Sequence, residues 1–495
     1  AYRGEYVAEK DQRLRWLTGF EGSAGICVLV KQRIGIFVDG RYTVQAKNQT
    51  CPPIEIINWP KIKVTDWIME VTNHGKIGFD PWLHSVDEIE QYNRSMENTE
   101  IILQTTQNLV DIIWKDQPSA PTAKAFQYED KFAGVTQSHK RKTLSKELKE
   151  KGNSAAVITL PEGIAWLLNM RGGDVEHLPI VQAFAILHSN NEVDIFVDKT
   201  KVENLAKHFG QGINIYNENE FLQHLRKLTG SVCIDKSSLP FAAYQSLIDS
   251  KANLDPRGDI TALPKACKNE IELSRARDAH LIDAIAMCKF LHWLNSQPLG
   301  MLTEIDLVIK LESFRSANPE FYDISFETIC ASGPNAALPH YRVNYESNRT
   351  IKNGDVILVD SGGQYKSGTT DITRTTALGQ VSSEIKRAFT LVLKGMISIS
   401  KLRFPKGMAG CDLDAFARVF LWSEGLDFAH GTGHGVGQFL SVHEGPQRLS
   451  RTSNIPFEAG MIISNEPGFY KEGHFGIRIE NLLAIKKAPK LENSV

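Results

Sequence analysis

The sequence predicts a multidomain α/β (α+β) chain: two copies of one α/β domain, followed by a C-terminal region of different texture. Three observations carry this. The chain has 495 residues, and at roughly 150 residues per domain that length suggests about three domains. An internal repeat runs through the first half. After about residue 325, strand-like runs alternate with Gly-rich turns crowded with Asp, His and Glu.

The repeat is carried by three matches in the same order. Arg15-Trp16-Leu17-Thr18-Gly19-Phe20-Glu21-Gly22 is echoed by Ala165-Trp166-Leu167-Leu168-Asn169-Met170-Arg171-Gly172. Ile36-Phe37-Val38-Asp39 recurs as Ile195-Phe196-Val197-Asp198, and Ile77-Gly78-Phe79-Asp80 has a weaker counterpart in Val232-Cys233-Ile234-Asp235. Chance supplies one such match, but three in order indicate duplication. Short apolar runs at 26–30, 34–38, 155–160 and 193–197 predict buried strands. The charged stretch His139–Glu150 predicts a surface helix, and 268–294 a long helix. Strands alternating with helices imply a mixed or parallel sheet with helical covers. Pro118-Ser119-Ala120-Pro121 reads as a linker, and the second copy ends near Asp255–Gly258. The expected domains are therefore 1–120, 121–263 and 264–495.

Composition excludes several classes. Net charge is −2, which gives no electrostatic footprint for nucleic acid or an anionic membrane. No run of 18 apolar residues appears, so no membrane-spanning segment is expected. The seven cysteines are scattered, with no CxxC pair, as in a reduced, cytoplasmic protein. The first residues hold no apolar leader and no initiator Met, and the chain stops fifteen residues after Glu480. Both ends are therefore expected to be trimmed.

The chemistry lies in the last third. Asp360 follows the apolar run Val356–Val359, and Asp371 stands eleven residues on, beyond the Gly-rich loop 361–368. A chain reversal there would set the two carboxylates side by side; two ordinary turn aspartates are the alternative. His430-Gly431-Thr432-Gly433-His434 has the histidine spacing of HExxH zinc helices, but Gly replaces Glu and the glycines forbid a helix. These glycines suit close approach of backbone or substrate. His443 follows within fourteen residues of His430. Glu466 and Glu480 each adjoin apolar strand residues, and burying such carboxylates without partners is costly. Arg478, two residues before Glu480, shares its strand face and is expected to pair with a ligand carboxylate.

Four carboxylates would repel one another unless cations offset them. Two divalent ions balance that charge, and a donor set of oxygens with one imidazole suits Mn²⁺, with Co²⁺ or Zn²⁺ possible. Two ions roughly 3.5–4 Å apart can share a hydroxide and lower its pKa from about 15.7 towards about 7.

The order Asp, Asp, His, Glu, Glu in the contexts VDSGGQY, TTDITRT, HGTGHGVG, NEPG and RIEN resembles the pita-bread metallopeptidases, and the long, three-domain aminopeptidase P group among them. The segments LTGFEGSAG, FVDGRYT and IAWLLNMRGGDV carry the resemblance into the N-terminal half. It implies a pita-bread catalytic domain holding two metal ions. Asp371 and Glu480 would bridge the ions, Asp360 would bind one, and His434 and Glu466 the other. Glu466 would also shuttle a proton. His340 would bind substrate, His443 would contact the scissile carbonyl, and His430 would line a proline pocket. The implied activity is metallo-aminopeptidase cleavage of peptides with proline at the second position, by a cytoplasmic homodimer. Prolidase is the near alternative. A metal-free amidinohydrolase and a non-catalytic interaction module are more distant ones, since both typically lose metal ligands.

Overall fold

The computed structural model describes residues 4–298 and 300–489. They gather into two compact units. The first runs to Thr261 apart from Lys131–Gly134; the second takes that short segment and everything from Ala262 on.

In the first unit, α1 (Arg13–Thr18) precedes β1 (Ile26–Val30), β2 (Arg33–Val38), β3 (Ile54–Asn58), β4 (His74–Phe79) and β5 (Glu100–Thr105). After α2 (Gln137–Glu150), β6 (Ala155–Ile158) and α3 (Pro161–Leu167) come β7 (Phe184–His188), β8 (Val193–Phe196), β9 (Ile213–Tyr216), β10 (Thr229–Cys233) and β11 (Lys251–Asp255). The matched segments fall at equivalent places: over α1 and α3, and at the ends of β2 and β8 and of β4 and β10. Strand pairing repeats as well. β1 runs antiparallel to β2 and β2 parallel to β3, as β7, β8 and β9 do. β4–β5 and β10–β11 are both parallel.

The copies differ at the centre. In the second, β6 joins the two arms into one six-stranded sheet, ordered β9-β8-β7-β6-β10-β11. In the first, β1–β3 and β4–β5 stay separate sheets, and no strand among the described residues joins them. Strands β6 and β8 are buried along their whole length, which is why they read as unbroken apolar runs. The copies also share a core: Val86 and Trp82 of the first pack with Phe184, Phe221 and Val232 of the second.

The expectation of a surface helix at 139–150 needs correction. Helix α2 buries Gln137, Lys140, Arg141, Leu144, Ser145 and Leu148. Its buried charge is tolerated because it is hydrogen-bonded: Lys140 donates to Trp166 O at 3.0 Å and to Asn169 Oδ1 at 2.7 Å.

The second unit opens with α4 (Glu270–Asn295), close to the expected span and started by an Asn269–Glu272 capping box. Helix α5 (Glu304–Ser316) precedes β12 (Phe321–Ile324), β13 (Ile329–Ser332), β14 (Val356–Ser361), β15 (Gly363–Tyr365), β16 (Gly368–Thr369) and β17 (Ile372–Ala377). Then follow α6 (Ser383–Lys401), α7 (Ala415–Trp422), β18 (Gly433–Gly435), β19 (Glu444–Leu449), β20 (Ile462–Asn465), β21 (Gly468–Lys471), β22 (Phe475–Arg478) and β23 (Asn481–Ala484). The main sheets are antiparallel, β13-β14-β17 and β19-β18-β20-β23. Helices α4 and α5 cover the first through Phe290, Leu294, Leu307, Leu311 and Ile357. Helices α6 and α7 pack on β22 through Val392, Leu421 and Ile477.

One buried ion pair ties α4 to α5. Arg315 donates Nε to Asp283 Oδ1 at 2.8 Å and a terminal nitrogen to Oδ2 at 3.0 Å. The Tyr365 hydroxyl donates to the same carboxylate at 2.8 Å. Burial alone would raise the Asp283 pKa, but the guanidinium overrides it and holds it below the usual carboxylate range. Removing one partner strands a buried charge, so Asp283→Ala should cost about 3–5 kcal/mol of unfolding free energy. Because the folded-state pKa is depressed, the pair's contribution is present above about pH 3.9 and is lost as pH falls below it. Denaturant titrations of wild type and Asp283→Ala at neutral pH and near pH 3 check both. A difference below 1 kcal/mol at neutral pH overturns this account.

Candidate metal centre

The two sheets deliver the acidic side chains to one place. β14 carries Asp360 at its end, opposite Thr373 of β17, and Asp371 stands immediately before β17. The expected chain reversal is therefore real, with the short β15–β16 hairpin inside it. In the other sheet, β18 carries His434. Glu466 directly follows β20 and Glu480 directly precedes β23, where Asn465 pairs with Asn481. The sheets meet where Glu480 N donates to Thr373 O at 3.1 Å. Close strand packing explains one of the glycines: a Cβ on Gly433 would stand 1.9 Å from Ser464 O.

His434 Nε2 lies 3.2 Å from Glu466 Oε1 and 3.5 Å from Asp371 Oδ2. Asp371, His434 and Glu480 each place a donor atom within 4.8 Å of the other two. Arg478 grips Asp360 Oδ2 from Nε at 3.0 Å and from a terminal nitrogen at 2.6 Å. The carboxylate that Arg478 holds is thus Asp360; Glu480 lies beyond the end of β22 and does not share a strand with Arg478. Three carboxylate oxygens, Asp360 Oδ1, Asp371 Oδ1 and Glu480 Oε1, are buried and accept no hydrogen bond. Buried polar atoms are normally paired, so three orphaned oxygens in one place are the signature expected of a cation-binding cluster.

The electrostatics agree. Burial pushes the Asp360 carboxyl up to about 6; Arg478 lowers it and Asp371 and Glu466 raise it. Burial, then the neighbouring Asp371 and Glu466, lift Glu480 well above its usual range. Burial also works to raise Glu466, but contact with His434 pulls it down to about 2. Burial would lower His434, yet Asp371 and Glu466 raise it well above the ordinary imidazole value. A cluster short of positive charge draws protons onto its members. Divalent cations would take the place of those protons, so the residues present fit metal ions. His434 Nδ1 sits 2.9 Å from Gly435 O. An Nδ1–H donated there leaves the Nε2 lone pair facing the carboxylates.

Several neighbours escaped the sequence reading. The Thr373 hydroxyl donates to Glu480 Oε2 at 2.8 Å. Ser464 donates to Glu466 Oε1 at 3.0 Å and accepts from His434 N at 2.8 Å. Both lie two residues from a carboxylate, a spacing that could have found them. Tyr470 carried no such signal. Its hydroxyl accepts from Arg478 at 2.7 Å and lies 2.8 Å from His430 Nε2. His430 Nδ1 is 2.7 Å from Gly431 O, and burial pulls the imidazole pKa down to about 4. The neutral ring therefore donates from Nδ1 and accepts the Tyr470 proton at Nε2.

Asp360, Asp371, His434, Glu466, Glu480 and Arg478 thus form one cluster, joined by His430 through Tyr470. His443 meets it edge to face, its ring centroid 4.3 Å from that of His434 and the planes at 83°. His340 is half-buried in the turn after a 3₁₀ segment, Gly333–Ala337. Its neighbour Tyr341 packs with Leu358 and Tyr470 and donates its hydroxyl to buried Glu304 at 2.9 Å.

Comparison with known proteins matches this arrangement. The model for metallopeptidase family M24 fits residues 274–487. Models for the creatinase/prolidase N-terminal domain fit residues 6–111 and 116–272. A probable Xaa-Pro aminopeptidase P of Laccaria bicolor is 36% identical over 99% of this chain and 79% of its own length. Aminopeptidase P2 of Arabidopsis thaliana is 38% identical over 99% of this chain and 75% of its own. The crystal structure of an X-prolyl aminopeptidase from Caenorhabditis elegans, described as a cytosolic enzyme with a di-nuclear active site, aligns with a TM-score of 0.92. It is 34% identical and covers 97% of this chain and 81% of that one. Likeness at this level along nearly the whole chain, from the N-terminal domains to the carboxylate cluster, makes the chain a member of the aminopeptidase P group of metallopeptidase family M24.

Proposed function

We propose that the protein is a dinuclear metallo-aminopeptidase hydrolysing the bond between an N-terminal residue and a following proline. The orphaned carboxylate oxygens around His434 carry this reading. Asp360, Asp371, His434, Glu466 and Glu480 would hold two divalent ions, manganese first with cobalt or zinc as alternatives, and these would supply Lewis acidity towards the attacking water and the scissile carbonyl.

The side chains do the rest. Glu466, kept ionised by His434, takes a proton from the attacking water and passes it to the leaving nitrogen. A bond before proline is a tertiary amide, so that nitrogen carries no hydrogen and departs only when protonated. His443 donates a hydrogen bond to the carbonyl oxygen as negative charge develops there. His340 and His430 line the proline site. Both ring nitrogens of His430 are engaged, so it offers its ring face to the pyrrolidine. The division into domains 1–120, 121–263 and 264–495, a homodimeric assembly and a cytoplasmic location belong to the same reading. The last is supported by the Caenorhabditis elegans relative, described as cytosolic, and by seven free cysteines. No helix among the described residues is long and apolar enough to cross a membrane.

Three tests follow. Returning Mn²⁺ to chelator-treated protein should raise its melting temperature, since a ligand at 100 times its Kd adds about 2.7 kcal/mol. Asp371→Ala should abolish both that rise and the activity; a full response in the variant overturns its ligand role. His443→Ala should keep its metals by elemental analysis but lose about 10²–10³ in kcat, the usual worth of one such donor. An emptied site in that variant would reassign His443 as a ligand. Arg-Pro-Pro should be cleaved far faster than Arg-Ala-Pro, and faster than the dipeptide Arg-Pro, whose carboxylate stands where the chain should continue. Faster turnover of the dipeptide means prolidase instead.

A further inference from the structure

Immediately after His443 the chain buries a charged cluster that takes no part in the chemistry above. Glu444 is held by two lysines: Lys265 Nζ lies 2.7 Å from Oε2 and Lys268 Nζ 2.5 Å from Oε1. Exposure of the three side chains is 9% for Lys265, 0% for Lys268 and 1% for Glu444. One ammonium would neutralise the carboxylate. Desolvating a second costs several kcal/mol, and it leaves the cluster with a net positive charge.

What the second lysine adds is geometry. With a different cation against each oxygen, and a hydrogen bond from Lys268 to Oε1, rotation or withdrawal of the carboxylate would part it from one of its counter-charges. Both cations stand on a fixed frame. Lys265 lies in the helical turn Ala262–Ala266. Lys268 is pinned by its own N–H to Gly460 O at 3.0 Å and by Nζ to Lys265 O at 2.8 Å. The backbone of Glu444 pairs with Gly435, the residue after His434. Its carboxylate also floors the loop between the two: a Cβ on Gly437 would stand 3.1 Å from Glu444 Oε2. Glu444, the first residue of β19, is turned inward, and His443 before it is exposed, with its ring against that of His434.

We propose that the Lys265–Glu444–Lys268 clamp is the positioning device for His443, fixing from beneath the strand start that presents this imidazole beside His434. The proposal rests on the reading of His443 as the group that meets the scissile carbonyl. Misplacing such a group by about 1 Å costs on the order of 10²-fold in rate.

Glu444→Gln keeps the size of the side chain and removes the charge that both lysines hold. At a temperature well below its melting point, it should lower kcat for Arg-Pro-Pro by at least about tenfold. KM should stay within about twofold, since ground-state binding is untouched, and metal content should not change. In a His443→Ala background the same change should have almost no further effect, because the two act as one unit. In the metal-free protein, the ring resonances of His443, displaced by the His434 ring, should move towards random-coil positions in Glu444→Gln. Unchanged kcat, an equal loss in the His443→Ala background, or unmoved His443 resonances each overturn the clamp. If Glu444→Gln does not fold, Lys265→Met, which leaves Lys268 on the carboxylate, takes the same three measurements. Failure of the wild type to cleave Arg-Pro-Pro sinks the substrate reading instead, and the ring resonances still decide the clamp.

Discussion

The structure of the second unit turns on one electrostatic constraint: four carboxylates converge on a buried point, and protein cations answer only part of their charge. Arg478 occupies one oxygen of Asp360, and His434 lies against Glu466 and Asp371. Asp360 Oδ1, Asp371 Oδ1 and Glu480 Oε1 are buried without partners. Raised carboxyl pKa values on Asp360 and Glu480 express the same deficit. A fold could relieve it with more arginines, but that would fill the space where chemistry has to happen. Leaving the deficit in place creates a strong site for cations, and the free energy of their binding becomes part of the stability of the folded protein.

Such a cluster survives only on a scaffold that cannot relax away from it. Antiparallel sheets supply that rigidity, with helices on them and the acidic residues at strand ends. Elsewhere the unit treats buried charge in the opposite way and surrounds it with counter-charge or donors. Asp283 has Arg315 and Tyr365. Buried Glu304 accepts from Ser332 N, Tyr341, Asn335 and Arg349 N. Glu444 has two lysines. The contrast is informative. Where charge serves the framework each carboxylate lies against protein cations or several donors, and where it serves the site three oxygens of neighbouring carboxylates are left open together.

The sequence made much of this legible, for physical reasons. Buried strands announce themselves as apolar runs, so Ile26–Val30, Val193–Phe196 and Val356–Val359 were readable, and three matched segments disclosed the duplicated domain. Asp360, Asp371, His434, Glu466 and Glu480 stood out because acidic or imidazole groups beside apolar strands need a reason to be buried. What stayed hidden depends on contacts between distant segments. Arg478 was assigned a carboxylate partner correctly, but the identity of that partner, Asp360, depends on how β14 and β22 come together. Tyr470 and Glu304 gave no local signal, because each is defined by partners remote in sequence. The α2 face was misjudged for a related reason. Lys140 and Arg141 look like solvent-facing charge until the carbonyls that satisfy them are in view.

The two histidines flanking His434 are held by different means, and the difference has mechanistic weight. His430 is reached through a run of side chains: Asp360 to Arg478, Arg478 to the Tyr470 hydroxyl, and that hydroxyl to Nε2. Its proton position therefore depends on the Asp360 carboxylate at the far end of that run, since hydrogen bonds in series polarise one another. His443 stands just before β19, whose first residue, Glu444, pairs with Gly435 and lies against Lys265 and Lys268. A change of charge at Asp360 thus reaches His430 through hydrogen bonds in series, whereas His443 meets the cluster through its ring contact with His434.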